Sequence, residues 1–290
     1  MVILSSLFVT GGFMRTIAEG YSFTEGPRWH DGRFYFSDFY THRVMAVDGE
    51  GNTEVVATVP GQPSGLGWLP DGRMLVVSML DRKLLRQEID GSLVEHADLS
   101  GVATFHCNDM VVDTKGRAYV GNFGSDIESG GELTKAKLAF VDIDGSVSVA
   151  AEDIAFPNGA VITPDGKTFI IGETFGRCLT AFDIASDGSL SNRREWANLH
   201  PHLPDGICLD AEGAIWVADP VKNCVIRVAE GGEVLQKIDM GRGTFACMLG
   251  GIEGKTLYIC TADGSGSKAQ RSLTAKIEAC EVDVPGAGCP

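Results

Sequence analysis

Residues 203–219, LPDGICLDAEGAIWVAD, hold two short apolar runs joined by a tight turn at Glu212-Gly213. An apolar run, an Asp-Gly-like turn and a second apolar or aromatic run make a β-hairpin signature. The same arrangement occurs five more times. It is found in TEGPRWHDGRFYFSD (24–38), PSGLGWLPDGRMLVVSM (63–79), HCNDMVVDTKGRAYVGN (106–122), FPNGAVITPDGKTFIIGET (156–174) and FACMLGGIEGKTLYICT (245–261). The turn glycines are Gly32, Gly72, Gly116, Gly166, Gly213 and Gly254, spaced by 40, 44, 50, 47 and 41 residues. That spacing is the length of a four-stranded propeller blade. After each hairpin a further alternating stretch, such as KLLRQEIDGSLVEHA (83–97) or CVIRVAEGGEVLQKI (224–238), supplies the outer two strands.

The repeat predicts an all-β fold: a single six-bladed β-propeller spanning 1–290, with four-stranded antiparallel blades and a metal site in the central channel. A ring must close on itself, because an open one leaves unpaired sheet edges. Residues 13–18 are the expected outer strand beside a C-terminal strand within 275–284. No amphipathic helical stretch of ten or more residues, as a βαβ fold would need, interrupts the pattern.

Composition agrees. Thirty-seven glycines fit many tight turns, and 44% hydrophobic residues suffice for a core. A net charge of −15 argues against nucleic acid or an anionic membrane surface as a partner. The eight cysteines form no CxxC pair and fall mostly in apolar runs. They read as reduced core residues, an expectation that points to the cytoplasm. The apolar stretch near the N-terminus lacks a basic leader and a small-residue cleavage site, so no secretion signal is expected. No run approaches the roughly 18 apolar residues of a membrane-spanning helix.

Counting back eight residues from each turn glycine reaches Ser64, Asn108, Asn158, Asp205 and Ala246; in the first blade an offset of seven reaches Glu25. These positions precede the innermost strands, so they are expected to converge at one mouth of the channel. Four of them, Glu25, Asn108, Asn158 and Asp205, offer carboxylate or amide oxygens. Such donors suit one hard divalent cation, calcium first, with magnesium, manganese, iron and zinc compatible. Each dipeptide alone reads as a turn former. Their agreement at one repeat position points instead to a site, since converging carboxylates repel unless a cation neutralises them.

The motifs EGPRW (25–29), CNDMVVD (107–113), FPNG (156–159), PDGICLD (204–210) and FACMLGG (245–251), in this order, resemble the senescence-marker-protein, regucalcin and gluconolactonase family of six-bladed propeller hydrolases. The resemblance runs from about Ile17 to the C-terminus. It implies that Glu25, Asn158 and Asp205 bind a divalent ion, and that Asn108 contacts the ion or the substrate. Diisopropyl fluorophosphatase, a more distant propeller, is similar in placing two amides and two carboxylates around calcium. Where the family's sugar-lactone hydrolases often carry arginine, two residues before the blade-three asparagine, this chain has His106. The departure admits an aromatic or less hydroxylated lactone beside the sugar lactone the resemblance implies.

The function expected is metal-dependent opening of a lactone, first a sugar lactone of the gluconolactone type and second an aromatic or other small lactone, with Asp205 as general base and Asn108 and His106 positioning the substrate. A calcium-binding propeller without catalysis, or a phosphotriesterase-like hydrolase, are the alternatives. There is no G-x-S-x-G for serine hydrolysis and no GxGxxG for a nucleotide. Asp38, Asn122, Glu173 and Asp219 end the second strands and are expected as turn residues or links. His200 and His202 are expected at the rim. The polar segment 122–137 is a candidate lid.

Overall fold

The computed structural model describes residues 13–127 and 129–288. Twenty-four strands form six four-stranded antiparallel sheets, the predicted propeller. The innermost strands are Thr24–His30, Pro63–Trp68, Cys107–Val112, Pro157–Ile162, Ile207–Leu209 and Gly243–Gly250. Each touches the innermost strand of the next blade around the ring. Blades one to five each use four consecutive strands. In blade six the outermost strand is Arg15–Tyr21, paired antiparallel with Ala275–Glu281. The expected closure is therefore present, its pairing running from Arg15 to Tyr21.

The apolar alternation read from the sequence becomes packing between neighbouring blades. In one such layer Val161, Ile170 and Leu179 of blade four share a core with Ile207, Ile215 and Ile226 of blade five. Inner strands are buried on both faces, whereas outer strands such as Thr53–Thr58 carry mostly exposed residues. Such burial removes apolar surface from water at roughly 25 cal/mol per Å². Seven cysteines are free; six are buried and Cys178 is half-buried. Cys289 lies outside the described residues.

Two local features aim the channel residues. Pairing between first and second strands slips just after the repeat position in blade one (Glu25 to Arg28), across it in blades two, three and four, and just before it in blade six. A bulge of this kind twists a strand and redirects its side chains. In blade five regular pairing starts only at Ile207, and the Asp205 N–H reaches the Ala218 carbonyl at 2.9 Å. The second feature is close approach of backbones. A Cβ at Gly26 would lie 2.7 Å from the Ser64 carbonyl, and one at Gly65 would lie 2.8 Å from Asp109 Oδ1. Side chains there would push the inner strands apart.

Candidate active site at the channel mouth

The repeat positions stand where the inner strands begin, and there Glu25 interacts with Asp205, and Asp205 with Asn158. Glu25, Asn108 and Asn158 are buried and Asp205 is half-buried. Ser64 and Ala246 are buried and complete the ring without a carboxylate or amide. Burial pushes the Glu25 carboxyl well above the ordinary carboxylate range, and the negative charges of Asp205 and Asp109 add to the shift. The Gly26 N–H, 3.0 Å from Glu25 Oε2, and Arg28 oppose it. Asp205 is pushed up to about 8, again chiefly by burial; the Asn158 amide opposes the rise while Asp109 and Asp219 add to it.

Both amides are held by their NH2 groups. Asn108 Nδ2 donates to the Pro157 carbonyl at 3.3 Å. Asn158 Nδ2 donates to Thr174 Oγ1 at 3.2 Å, and that hydroxyl donates onward to the Pro204 carbonyl at 2.7 Å. With each NH2 engaged, Asn158's also by the Asp205 carboxylate, the oxygen end of each amide is what remains for a cation.

Two charged residues of the site escaped the repeat arithmetic. Arg28 Nη2 donates to Asp109 Oδ1 at 2.8 Å, with both side chains at or below 7% exposure. The same guanidinium reaches the Met110 carbonyl and, at 2.7 Å, the Pro27 carbonyl. Its Nε is buried with no partner. Arg28 belongs to blade one and Asp109 to blade three, so the pair bridges blade two, where Gly65 leaves room for it. A signal was present in the sequence. The residue after the repeat position is Gly26, Gly65, Gly159 and Gly206 in four blades, but Asp109 in blade three.

The polar residues that end the second strands are chiefly braces. Asp38 accepts from the Ser22 and Phe23 N–H groups and from the Ser22 hydroxyl. Glu173 accepts from the Ala155 N–H at 2.7 Å and Asp219 from the Leu203 N–H at 3.3 Å. Each thus fixes the chain two or three residues before a repeat position. His202 Nδ1 lies 2.8 Å from Asp219 Oδ2, with Cys224 nearby. The Asp219 carboxylate also accepts from Val221 and Lys222, so its oxygens are already occupied. Asn122 differs: its Nδ2 donates to the Lys137 carbonyl at 2.7 Å and closes the neck of the 122–137 segment. His106 stacks on Phe105 at 3.9 Å, beside Asn108.

Cavities of about 530 and 330 Å³ lie elsewhere, between blades four and five and between blades three and four. Their walls are the hairpin turns around Thr163–Pro164, Asp210–Gly213 and Asp113–Lys115, at the opposite end of the inner strands. They have no carboxylate and amide cluster comparable to that of the mouth.

Fold and site together define a six-bladed propeller with an oxygen-rich cluster of carboxyl and amide groups at one mouth of its channel. Residues 23–263 match the SMP-30/Gluconolactonase/LRE-like region, and the chain belongs to that family. The pentonolactonase XacC of Haloferax volcanii is 30% identical over 83% of this chain and 82% of its own. The 6-deoxy-6-sulfogluconolactonase of Pseudomonas putida is 26% identical over 92% of this chain and 93% of its own. Among solved structures, a luciferin-regenerating enzyme superposes with a TM-score of 0.82 at 20% identity, covering 95% of this chain and 97% of that one. A calcium-binding regucalcin of Agrobacterium tumefaciens superposes with a TM-score of 0.81 at 20% identity, covering 96% and 97%. These structural likenesses concern the fold.

Proposed function

We propose that the protein is a divalent-metal-dependent lactonase. One observation carries the reading. Glu25, Asp109 and Asp205 bring three carboxyl groups together with a single guanidinium, Arg28, so that ionising all three leaves two negative charges for another cation to neutralise. One divalent ion has the matching charge, and the oxygens of Glu25, Asp205, Asn158 and Asn108 are the hard donors it prefers. Calcium is the first choice, and magnesium, manganese, iron or zinc suit the same donors. The lactonase names of the two relatives, each aligned over more than four-fifths of this chain, support the chemistry.

Lactone hydrolysis adds water to the carbonyl carbon, breaks the ring C–O bond and yields one hydroxy acid. An ion held by these four residues would supply Lewis acidity to the carbonyl and acidify a water. Asp205 is the residue we assign as general base: half-buried and disfavoured as a bare anion, it accepts the proton of the attacking water. Asn108 and His106, on the same approach, position the substrate. Thr174 and Pro204 keep the Asn158 amide turned so that its oxygen is presented.

The test is proton release from a panel of sugar and aromatic lactones by chelated and by metal-reloaded protein. Turnover is expected only after reloading. Glu25→Ala and Asp205→Ala should each remove activity and bound ion while leaving the β circular dichroism unchanged. Full activity in either variant would overturn the assignment. Turnover of a phosphotriester in place of any lactone would transfer the site to the other hydrolase class, and ion binding with no turnover would leave a binding propeller.

A further inference from the structure

Beside the two amides, blades three and four carry a run of aromatic rings. His106 lies edge-on to Phe123 at 6.3 Å, Phe123 stacks on Phe156 at 4.9 Å with planes 14° apart, and Phe156 meets Phe175 edge-on at 5.1 Å. Phe105 extends the run by stacking on His106. The backbone ties these rings to the site. The Phe123 N–H donates to the His106 carbonyl at 2.9 Å, and the Thr174 N–H to the Phe156 carbonyl at 3.1 Å. His106 and Phe156 each stand two residues before a channel amide, Asn108 and Asn158.

None of the five rings is fully buried, and Phe175 is 40% exposed. Phe156 holds φ at +63°, a left-handed conformation that bulky side chains rarely adopt. A strained backbone presents a ring there, next to a metal-ligand position, when the same ring would pack at no conformational cost elsewhere. A mostly apolar wall with a few convergent polar groups is the composition of a small-molecule site. Phenylalanine rings offer faces and edges for stacking and no partner for hydroxyl groups.

We propose that the substrate is a lactone bearing a fused or attached aromatic ring, which stacks along Phe123, Phe156 and Phe175 while its carbonyl faces the carboxylate cluster. This rests on the lactonase reading and names its substrate class. A polyhydroxylated aldonolactone would set its hydroxyls against ring faces and lose their hydrogen bonds with water.

The experiment compares kcat/KM of metal-reloaded protein on dihydrocoumarin, a benzo-fused lactone, and on glucono-δ-lactone. The wild type should favour dihydrocoumarin by about tenfold or more, the discrimination an apolar pocket delivers. Phe123→Leu and Phe156→Asn follow. Asparagine tolerates a positive φ, so the second change removes the ring without adding strain. Each should lower kcat/KM on dihydrocoumarin about tenfold and leave that on gluconolactone nearly unchanged. Preference for gluconolactone, or equal losses on both substrates, would overturn the proposal. Calorimetry with the benzo-fused lactam, which resists hydrolysis, separates this proposal from the reading beneath it. Lactam binding that Phe156→Asn abolishes, in protein that hydrolyses no lactone, would retain the aromatic site and dismiss the lactonase. Absence of lactam binding in such protein would dismiss both.

Discussion

The channel mouth has two unlike halves. Blades five, six and one bring Asp205, the small Ala246 and Glu25, backed by the buried thiols Cys208 and Cys247, whose sulfurs lie 3.9 Å apart. Blades three and four bring the neutral amides Asn108 and Asn158 and the run of rings. One half concentrates charge in a place where solvent is scarce; the other supplies neutral acceptors and flat apolar faces. The contrast teaches how one ring of equivalent positions divides its work. Geometry repeats from blade to blade, while chemistry is set by the few residues at and beside the repeat position.

One ion pair joins the halves, and breaking it gives the largest effect expected. Arg28→Met leaves Asp109 buried without its guanidinium and removes the only cation of the cluster. Removing one partner of a buried pair costs about 3–5 kcal/mol, which urea denaturation of the variant would measure. Replacing Asp109 as well, by leucine, should recover a large part of that loss, since well-packed apolar substitutes for a buried pair are often neutral. A loss below about 1 kcal/mol, the worth of a surface pair, would show that the halves are not coupled through it.

A smaller effect, confined to the charged half, follows from acidity. Glu25 and Asp205 bind protons more tightly in the folded chain than in the unfolded one, because burial raises both and neighbouring carboxylates add to it. Between the ordinary carboxylate range and about pH 8 the folded state therefore holds more protons, and its stability falls as pH rises. Chelated protein should melt several degrees lower at pH 8 than at pH 5. Adding calcium should flatten this slope, since an ion keeps both groups ionised at no cost. A flat curve in chelated protein would break the assignment of uncompensated charge to this half.

The two halves also differed in how legible they were. Hairpin spacing made the blades and the ring closure readable, because each blade must bury the same faces and turn at the same intervals. Glu25, Asn108, Asn158 and Asp205 followed from that register. Arg28 and Asp109 did not: Asp109 is marked only by standing where four blades have glycine, and nothing local joins it to Arg28 across an intervening blade. The aromatic run was equally hidden. Phe123 and Phe175 follow the second strands of blades three and four and Phe156 lies in the connection between these blades, so the packing of adjacent blades makes neighbours of them. His106 alone was marked in advance, by its departure from the family's arginine.

The finest test lies on the neutral half, at Thr174. Its hydroxyl accepts from Asn158 Nδ2 and donates to the Pro204 carbonyl, one residue before Asp205. A single buried oxygen thus holds a blade-four amide and the chain entering blade five in register. Thr174→Val keeps the shape and removes both hydrogen bonds, leaving the amide held only by Asp205 and looser in its orientation toward the channel. Groups that orient metal ligands typically contribute 10–100-fold to affinity or activity. Calcium affinity measured by titration calorimetry should therefore fall about tenfold, with the fold and the chelated melting temperature little changed. Thr174→Ser, which restores the hydroxyl, should recover most of it. If the valine variant binds calcium as the wild type does, Asn158 is oriented by its strand and Asp205 alone, and the neutral half is more rigid than its hydrogen bonds imply.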